Sequence, residues 1–308
     1  MIEVKLEIEI SRLMSNSINR RSFLESTGKI ALAGSAFSIS LPAKHHKKMR
    51  FTLGLSQYSL RALLKNGSLD ALDFPQFTVD QFGIQAIDLW EGGLPKDKLD
   101  DSKYLATMRK KAEQAGTDLF LLMSGALDAS AKKRATSSAK ISASFDRAVQ
   151  LGAPMVRVFL KAPGTDPVAG LKVSVEALKP LADEAAKKNL IIAIEPGASS
   201  LSQKGAFLAE VASTLKHPAL KLMPDFGKLK DNVYQGTKAM LPHTVTISCK
   251  MHSFDQEGNQ PDFDYSRLMN MVKTSSYRGI LAIEWEGSSL EPVPGVVASK
   301  KLIEKSLA

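Results

Sequence analysis

From residue 51 onward two patterns alternate along the chain. Eight short apolar runs carry the branched and aromatic residues that suit strands. They are Phe51–Ser56, Ile84–Trp90, Leu119–Met123, Met155–Leu160, Leu190–Glu195, Leu220–Asp225, Val245–His252 and Ile280–Trp285. Between them lie longer stretches with apolar residues three and four apart, the spacing of a helix that buries one face. Tyr104–Ala115, Ala139–Leu151, Val173–Lys188, Ala206–Leu215 and Tyr265–Thr274 read this way. Strands alternating with helices predict βαβ units and a parallel sheet. Eight such units over about 255 residues predict one α/β domain, a single (β/α)8 TIM barrel spanning residues 51–308. An open doubly wound sheet would want a glycine-rich phosphate loop after the first strand. The chain has Leu55-Ser56-Gln57-Tyr58-Ser59 there. Gly116, Gly152, Asn189 and Gly279 each stand just before an apolar run, where a residue that tolerates a left-handed helix end is expected.

The first fifty residues break the pattern. Paired arginines in Asn19-Arg20-Arg21-Ser22-Phe23-Leu24 precede a mild apolar run that ends at Ala43, followed by Lys44-His45-His46-Lys47-Lys48. A positive segment, a short apolar segment and a small residue before a polar break are the layout of an export signal. The paired arginines resemble the twin-arginine type. Residues 1–43 are therefore expected to be a signal segment and residues 44–50 a basic linker. The twin-arginine export machinery is the expected partner and the bacterial periplasm the expected destination.

Composition narrows the partners. With 44% hydrophobic and 24% charged residues, the chain has ordinary globular content. Its one cysteine, Cys249, excludes an intramolecular disulfide framework and a Cys-clustered zinc site. After residue 50 no run approaches the roughly 18 apolar residues of a membrane span, so no stable span is expected after processing. The net charge of +9 is spread over helical stretches without interleaved aromatics, which argues against a nucleic-acid partner. Homo-oligomer formation stays open.

The chemistry gathers where strands end, because barrel sites are built on that face. Strand five ends in Ile194-Glu195-Pro196-Gly197, strand six in Pro224-Asp225-Phe226-Gly227, strand seven in Met251-His252-Ser253 and strand eight in Ile283-Glu284-Trp285-Glu286. Glu195, Asp225, His252 and Glu284 are separated by 30, 27 and 32 residues, one βα unit each. Three converging carboxylates would repel one another and raise their pKa values unless a cation joined them. Oxygen-rich ligation with one imidazole suits Mn2+ or Mg2+, with Co2+ and Zn2+ as alternatives. Glu286 competes with Glu284 because it shares its strand parity.

The motifs IAIEPG, LMPDFG, KMHSFDQEG and LAIEWEG resemble the xylose-isomerase-like barrel superfamily, the sugar phosphate isomerase/epimerase group. The resemblance spans roughly residues 51–308. It implies that Glu195, Asp225, His252 and Glu284 bind a divalent metal ion. It further implies that Glu195 and Glu284 are the catalytic acid and base, on opposite faces of a carbonyl sugar. The implied reaction is isomerisation or epimerisation of a carbohydrate through an enediolate. The same enolate would give β-elimination from a 3-keto-glycoside, so a lyase or hydratase is an alternative. A non-catalytic sugar-binding barrel is another. A nuclease of the superfamily would want more histidines than the five present. Three departures keep the substrate open. Lys228 stands where family epimerases commonly have a histidine, Gly258 where they often have an arginine, and the second glutamate after strand five is missing.

Other positions are candidate substrate contacts. Lys250 shares strand parity with His252, so both face inward, where Lys250 either meets a substrate oxygen or pairs with a ligand carboxylate deeper in the barrel. Arg157, inside strand four, needs a carboxylate partner and suits the orienting of a glutamate. Asp88 and Trp90 share one face of strand two, and Trp90 offers a ring for a sugar to stack on. Lys228 joins them from its place after strand six.

Overall fold

The computed structural model describes residues 51–230 and 232–308. The expected signal segment and the whole of the basic linker lie outside them. Eight strands run in chain order: β1 (Phe51–Ser56), β2 (Ala86–Trp90), β3 (Asp118–Asp128), β4 (Met155–Lys161), β5 (Ile191–Glu195), β6 (Leu220–Leu222), β7 (Thr246–Met251) and β8 (Gly279–Trp285). A main helix follows each: α1 (Phe74–Phe82), α2 (Ser102–Gln114), α3 (Arg134–Leu151), α4 (Pro167–Lys187), α5 (Gly205–Leu215), α6 (Val233–Met240), α7 (Tyr265–Thr274) and α8 (Pro292–Leu307). Shorter helical turns fill the loops.

Neighbouring strands pair in parallel in the order β6-β5-β4-β3-β2-β1-β8-β7. Two parallel bridges, Leu222 with Thr244 and Asp225 with Ser248, join the two ends. The ring therefore closes, as the eightfold alternation predicts. Two apolar layers hold it. The larger lies between sheet and helices and includes Ile87, Leu122, Val156, Ile192, Cys249 and Ile283. The smaller fills the barrel with Ala86, Leu121, Met123, Ala193, Met223 and Ala282. Alternation along the strands produces this division, since successive side chains point to opposite faces.

Helix ends follow the punctuation at three of the four expected places. Gly116, Gly152 and Asn189 have φ of 68°, 77° and 57°. Gly279 does not cap a helix. It is the first residue of β8, and a Cβ there would lie 2.7 Å from the Tyr277 hydroxyl. Close approach, not a left-handed turn, demands that glycine. Among the described residues no helix is long and apolar enough to cross a membrane.

Candidate active site

The carboxyl ends of β4 to β8 converge on a buried polar layer above the apolar filling. Glu195 ends β5, Asp225 follows β6, and Glu284 lies one residue before the end of β8. All three side chains are buried, and each offers one oxygen within 4.8 Å of the others. A metal ion can bridge such a trio. His252 is not among them. Its side chain is 40% exposed and its Nε2 lies 3.6 Å from Glu286 Oε2. Chain direction explains the difference: β7 ends at Met251, so His252 already belongs to the loop at the rim.

The centre of the carboxylates is reached from β7 by Lys250. Its Nζ lies 2.9 Å from Asp225 Oδ2, 3.2 Å from Glu284 Oε1 and 2.8 Å from Glu286 Oε1. Register brings this about, because Lys250 pairs with Glu284 across β7 and β8. Ser248, of the same parity on β7, donates to Glu284 Oε2 at 2.6 Å. Asp225 Oδ1 accepts from the amides of Gly227 and Lys228 at 2.9 and 3.0 Å. Arg157 on β4 places its Nε 2.9 Å from Glu195 Oε2 and donates from Nη1 to the Ser124 carbonyl at 2.6 Å. Its Nε proton is not aimed at the carboxylate, so the contact with Glu195 is electrostatic. Of the six oxygens of the trio, only Glu195 Oε1 has neither a hydrogen bond nor an ion pair to a cation.

Burial and neighbouring charge set the protonation states. Burial raises Glu195 well above the usual carboxylate range, against the pull of Arg157 and with the push of Asp225. Asp225 is desolvated too, but the charge of Lys250 outweighs that and holds it low. Burial likewise raises Glu284, although Lys250 opposes it. Glu286 sits low, because His252 and Lys250 outweigh its desolvation. Burial alone would strip the Lys250 proton, yet the surrounding carboxylates hold its pKa well above the ordinary value. The carboxylates around Lys250 favour its charged form, and burial makes Glu195 the carboxyl of the trio readiest to take a proton.

This bears on whether the residues fit a divalent ion. An ion bonded at about 2.1 Å to an oxygen that Lys250 also touches would sit within about 5 Å of the ammonium. At an effective dielectric of ~20 that repulsion is roughly 6–7 kcal/mol. With His252 at the rim and Lys250 inside, the four predicted ligands do not form a metal shell.

A cavity of about 280 Å³ opens above this layer, near the low end of the ~300–1,000 Å³ of small-molecule sites. Glu195, Glu284, Glu286, Arg157 and Lys228 line its polar side. Trp90, Tyr58 and Phe159 line its apolar side. Trp90 meets Tyr58 edge to face at 4.8 Å. Arg157 and Lys228 lie over Phe159 at 4.1 and 5.3 Å. Thus Arg157, Lys228 and Trp90 reach the cavity. Asp88 does not line it. It is buried, accepting from the Ser56 hydroxyl and the Gln57 amide, both at 3.1 Å.

Two residues escaped the sequence reading. Ser248 carried its signal in its parity with Lys250. Arg61 carried none: from a short helix after β1 it donates to the carbonyls of Trp285 and Glu286 at 2.9 and 3.0 Å. It thereby fixes the backbone that presents Glu286.

Comparison with known proteins agrees with the architecture. A family profile described as the xylose isomerase-like TIM barrel matches residues 78–307. No curated protein matches the chain. Several solved structures share its fold. A probable 3-DHS dehydratase, AsbF, from Bacillus anthracis superposes with a TM-score of 0.63 at 16% identity, covering 82% of this chain and 98% of that one. IolI, crystallised with a bound zinc atom, gives 0.65 at 14%, covering 83% and 98%. The 3-keto-D-glucoside 4-epimerase YcjR from E. coli gives 0.61 at 12%, covering 84% and 100%.

Proposed function

Because the chain belongs to the xylose isomerase-like TIM barrel family, we propose that it is an isomerase or epimerase of a small carbohydrate. One observation carries this reading: two buried glutamates with raised pKa values, Glu195 and Glu284, face one sugar-sized cavity. A carbonyl sugar stacks on Trp90 or Phe159 and directs its oxygens toward Lys228 and Arg157. Glu284 removes the proton from the carbon beside the carbonyl. The C–H electron pair becomes the new C=C bond, and the carbonyl oxygen takes the negative charge. Lys228 and Arg157, the cations on the cavity wall, stabilise that oxyanion. Glu195, whose burial favours the protonated form, returns one from the other side. Return to the same carbon inverts it; return to the neighbouring carbon, with the hydroxyl proton passing from one enediolate oxygen to the other, exchanges aldose and ketose.

Elimination is the second reading. If the next carbon carries a leaving group, the same enolate expels it, and the product is an unsaturated ketone. Likeness of fold to a dehydratase as well as to an epimerase supports keeping both. The arginine pair near residue 20 supports export to the periplasm, where free sugars and glycosides, not phosphosugars, are the substrates on hand.

The test is uptake of solvent deuterium into a panel of aldoses and ketoses, read by NMR beside release of aglycone from 3-keto-glycosides. Exchange that falls about 10²–10⁴-fold in both Glu195→Gln and Glu284→Gln supports proton transfer between them. Exchange unaffected by either variant rejects these roles. Aglycone release without exchange transfers the site to the lyase reading.

A further inference from the structure

The observed site departs from the predicted metal site at its centre. The position between the carboxylates is taken by Lys250, 1% exposed, with Asp225, Glu284 and Glu286 at 2.8–3.2 Å from its Nζ. The surroundings are shaped to this side chain. A Cβ on Gly227 would lie 2.8 Å from Lys250 Cδ and 3.0 Å from its Cγ, so only glycine leaves room for the stem. Glu286, outside the predicted ligand set, is the third carboxylate around the Lys250 Nζ, and Arg61 fixes its backbone. The imidazole that would complete a metal shell pairs with Glu286 at the rim instead.

We propose that the Lys250 ammonium is the resident cation of this centre and that the carboxylate cluster takes up no divalent ion. Lys250 does not line the cavity. It is a positioning residue: it holds Asp225, Glu284 and Glu286 together, and Glu284 meets the substrate. The proposal rests on the acid–base reading of the site for its significance, but its test needs no turnover.

The full chain, stripped with chelator, is equilibrated in turn with Mn2+, Co2+ and Zn2+, dialysed, and measured by elemental analysis and calorimetry. The wild type is expected to retain far less than one ion per chain. Lys250→His removes the ammonium and supplies an imidazole nitrogen. It is expected to gain about one ion per chain, with Mn2+ affinity at least about 100-fold above wild type. Lys250→Ala serves as the second variant, with a smaller gain. One ion per wild-type chain, lost in Asp225→Asn, overturns the proposal. So does a folded Lys250→His that stays as metal-free as the wild type, because the ammonium would then not be what excludes ions. Should the histidine variant fail to fold, the wild-type titration and Asp225→Asn still decide. Deuterium exchange that survives chelator adds support. If no sugar exchanges at all, the acid–base reading falls while the metal measurement stands.

Discussion

Arg157 shows what one side chain does in this layer. It is the cation nearest Glu195, and both are buried. Removing one partner of a buried pair typically costs about 3–5 kcal/mol. Without its cation Glu195 can answer by taking up a proton, so Arg157→Met should fall near the low end, about 3 kcal/mol. For a domain of this size that lowers the melting temperature by about 6–12 °C. A thermal melt within a degree of wild type would show that the pair contributes nothing. Asp88 makes a pH prediction. Burial first, and Glu284 next, raise its pKa well above the usual range. The folded state thus binds its proton more tightly than the unfolded chain does. Stability from this group is complete in acid and declines as pH rises from about 4 through the raised value. Asp88→Asn keeps an oxygen for Ser56 and Gln57, so its melting temperature should decline less between pH 4 and 7; a curve parallel to wild type would refute this. At this scale the sequence spoke clearly about Glu195, Asp225 and Glu284, because each sits at or just beyond an apolar run in phase with the repeat. For Lys250 it left two uses open, a contact with a substrate oxygen and an ion pair with a ligand carboxylate, and the second is the one observed. Parity shows that a lysine faces inward, but not how far four methylenes carry its charge.

At the scale of elements, strand positions were legible and strand ends less so. β3 runs on to Asp128, beyond the apolar run that ends at Met123. The extension passes through Ser124 and Gly125, where the register with β4 shifts. That bulge breaks the alternation that marks a strand, and there the Ser124 carbonyl accepts from Arg157. β6 is shorter than predicted, ending at Leu222. Pro224 has no N–H to continue a ladder, although its carbonyl accepts from the Ser248 amide at 2.9 Å. The turn after β6 then closes over the lysine, with Gly227 as its tightest point. Gly227→Ala would press on His252 Cε1 at 2.7 Å as well as on the lysine stem. Overpacking of this kind typically costs about 1–3 kcal/mol. The variant should melt several degrees lower and, if the proton-transfer reading holds, lose more turnover than substrate binding. Unchanged melting and turnover would show that the lysine stem has room to spare.

For the whole molecule, alternation and count carried the inference from sequence to a closed barrel, since few architectures bury eight such strands with a helix after each. The family profile reaches the same result from residues 78–307. The substrate was not legible, because the cavity is made by side chains from β2, β3, β4, β5 and β8 and from the turns after β1 and β6. No single segment holds its shape. The closure itself is uneven. β1 meets β8 through five register pairs, whereas β6 and β7 meet only through isolated bridges. Local opening follows the weakest hydrogen bonding. Amide hydrogen exchange should therefore be faster at Val245 and Ser248, which donate across the seam, than along β8; equal protection would refute this. Asp225 lies on that seam. Each time the barrel breathes there, the carboxylate moves relative to the lysine that neutralises it. The site's charge balance thus shares the rhythm of the joint on which it is built.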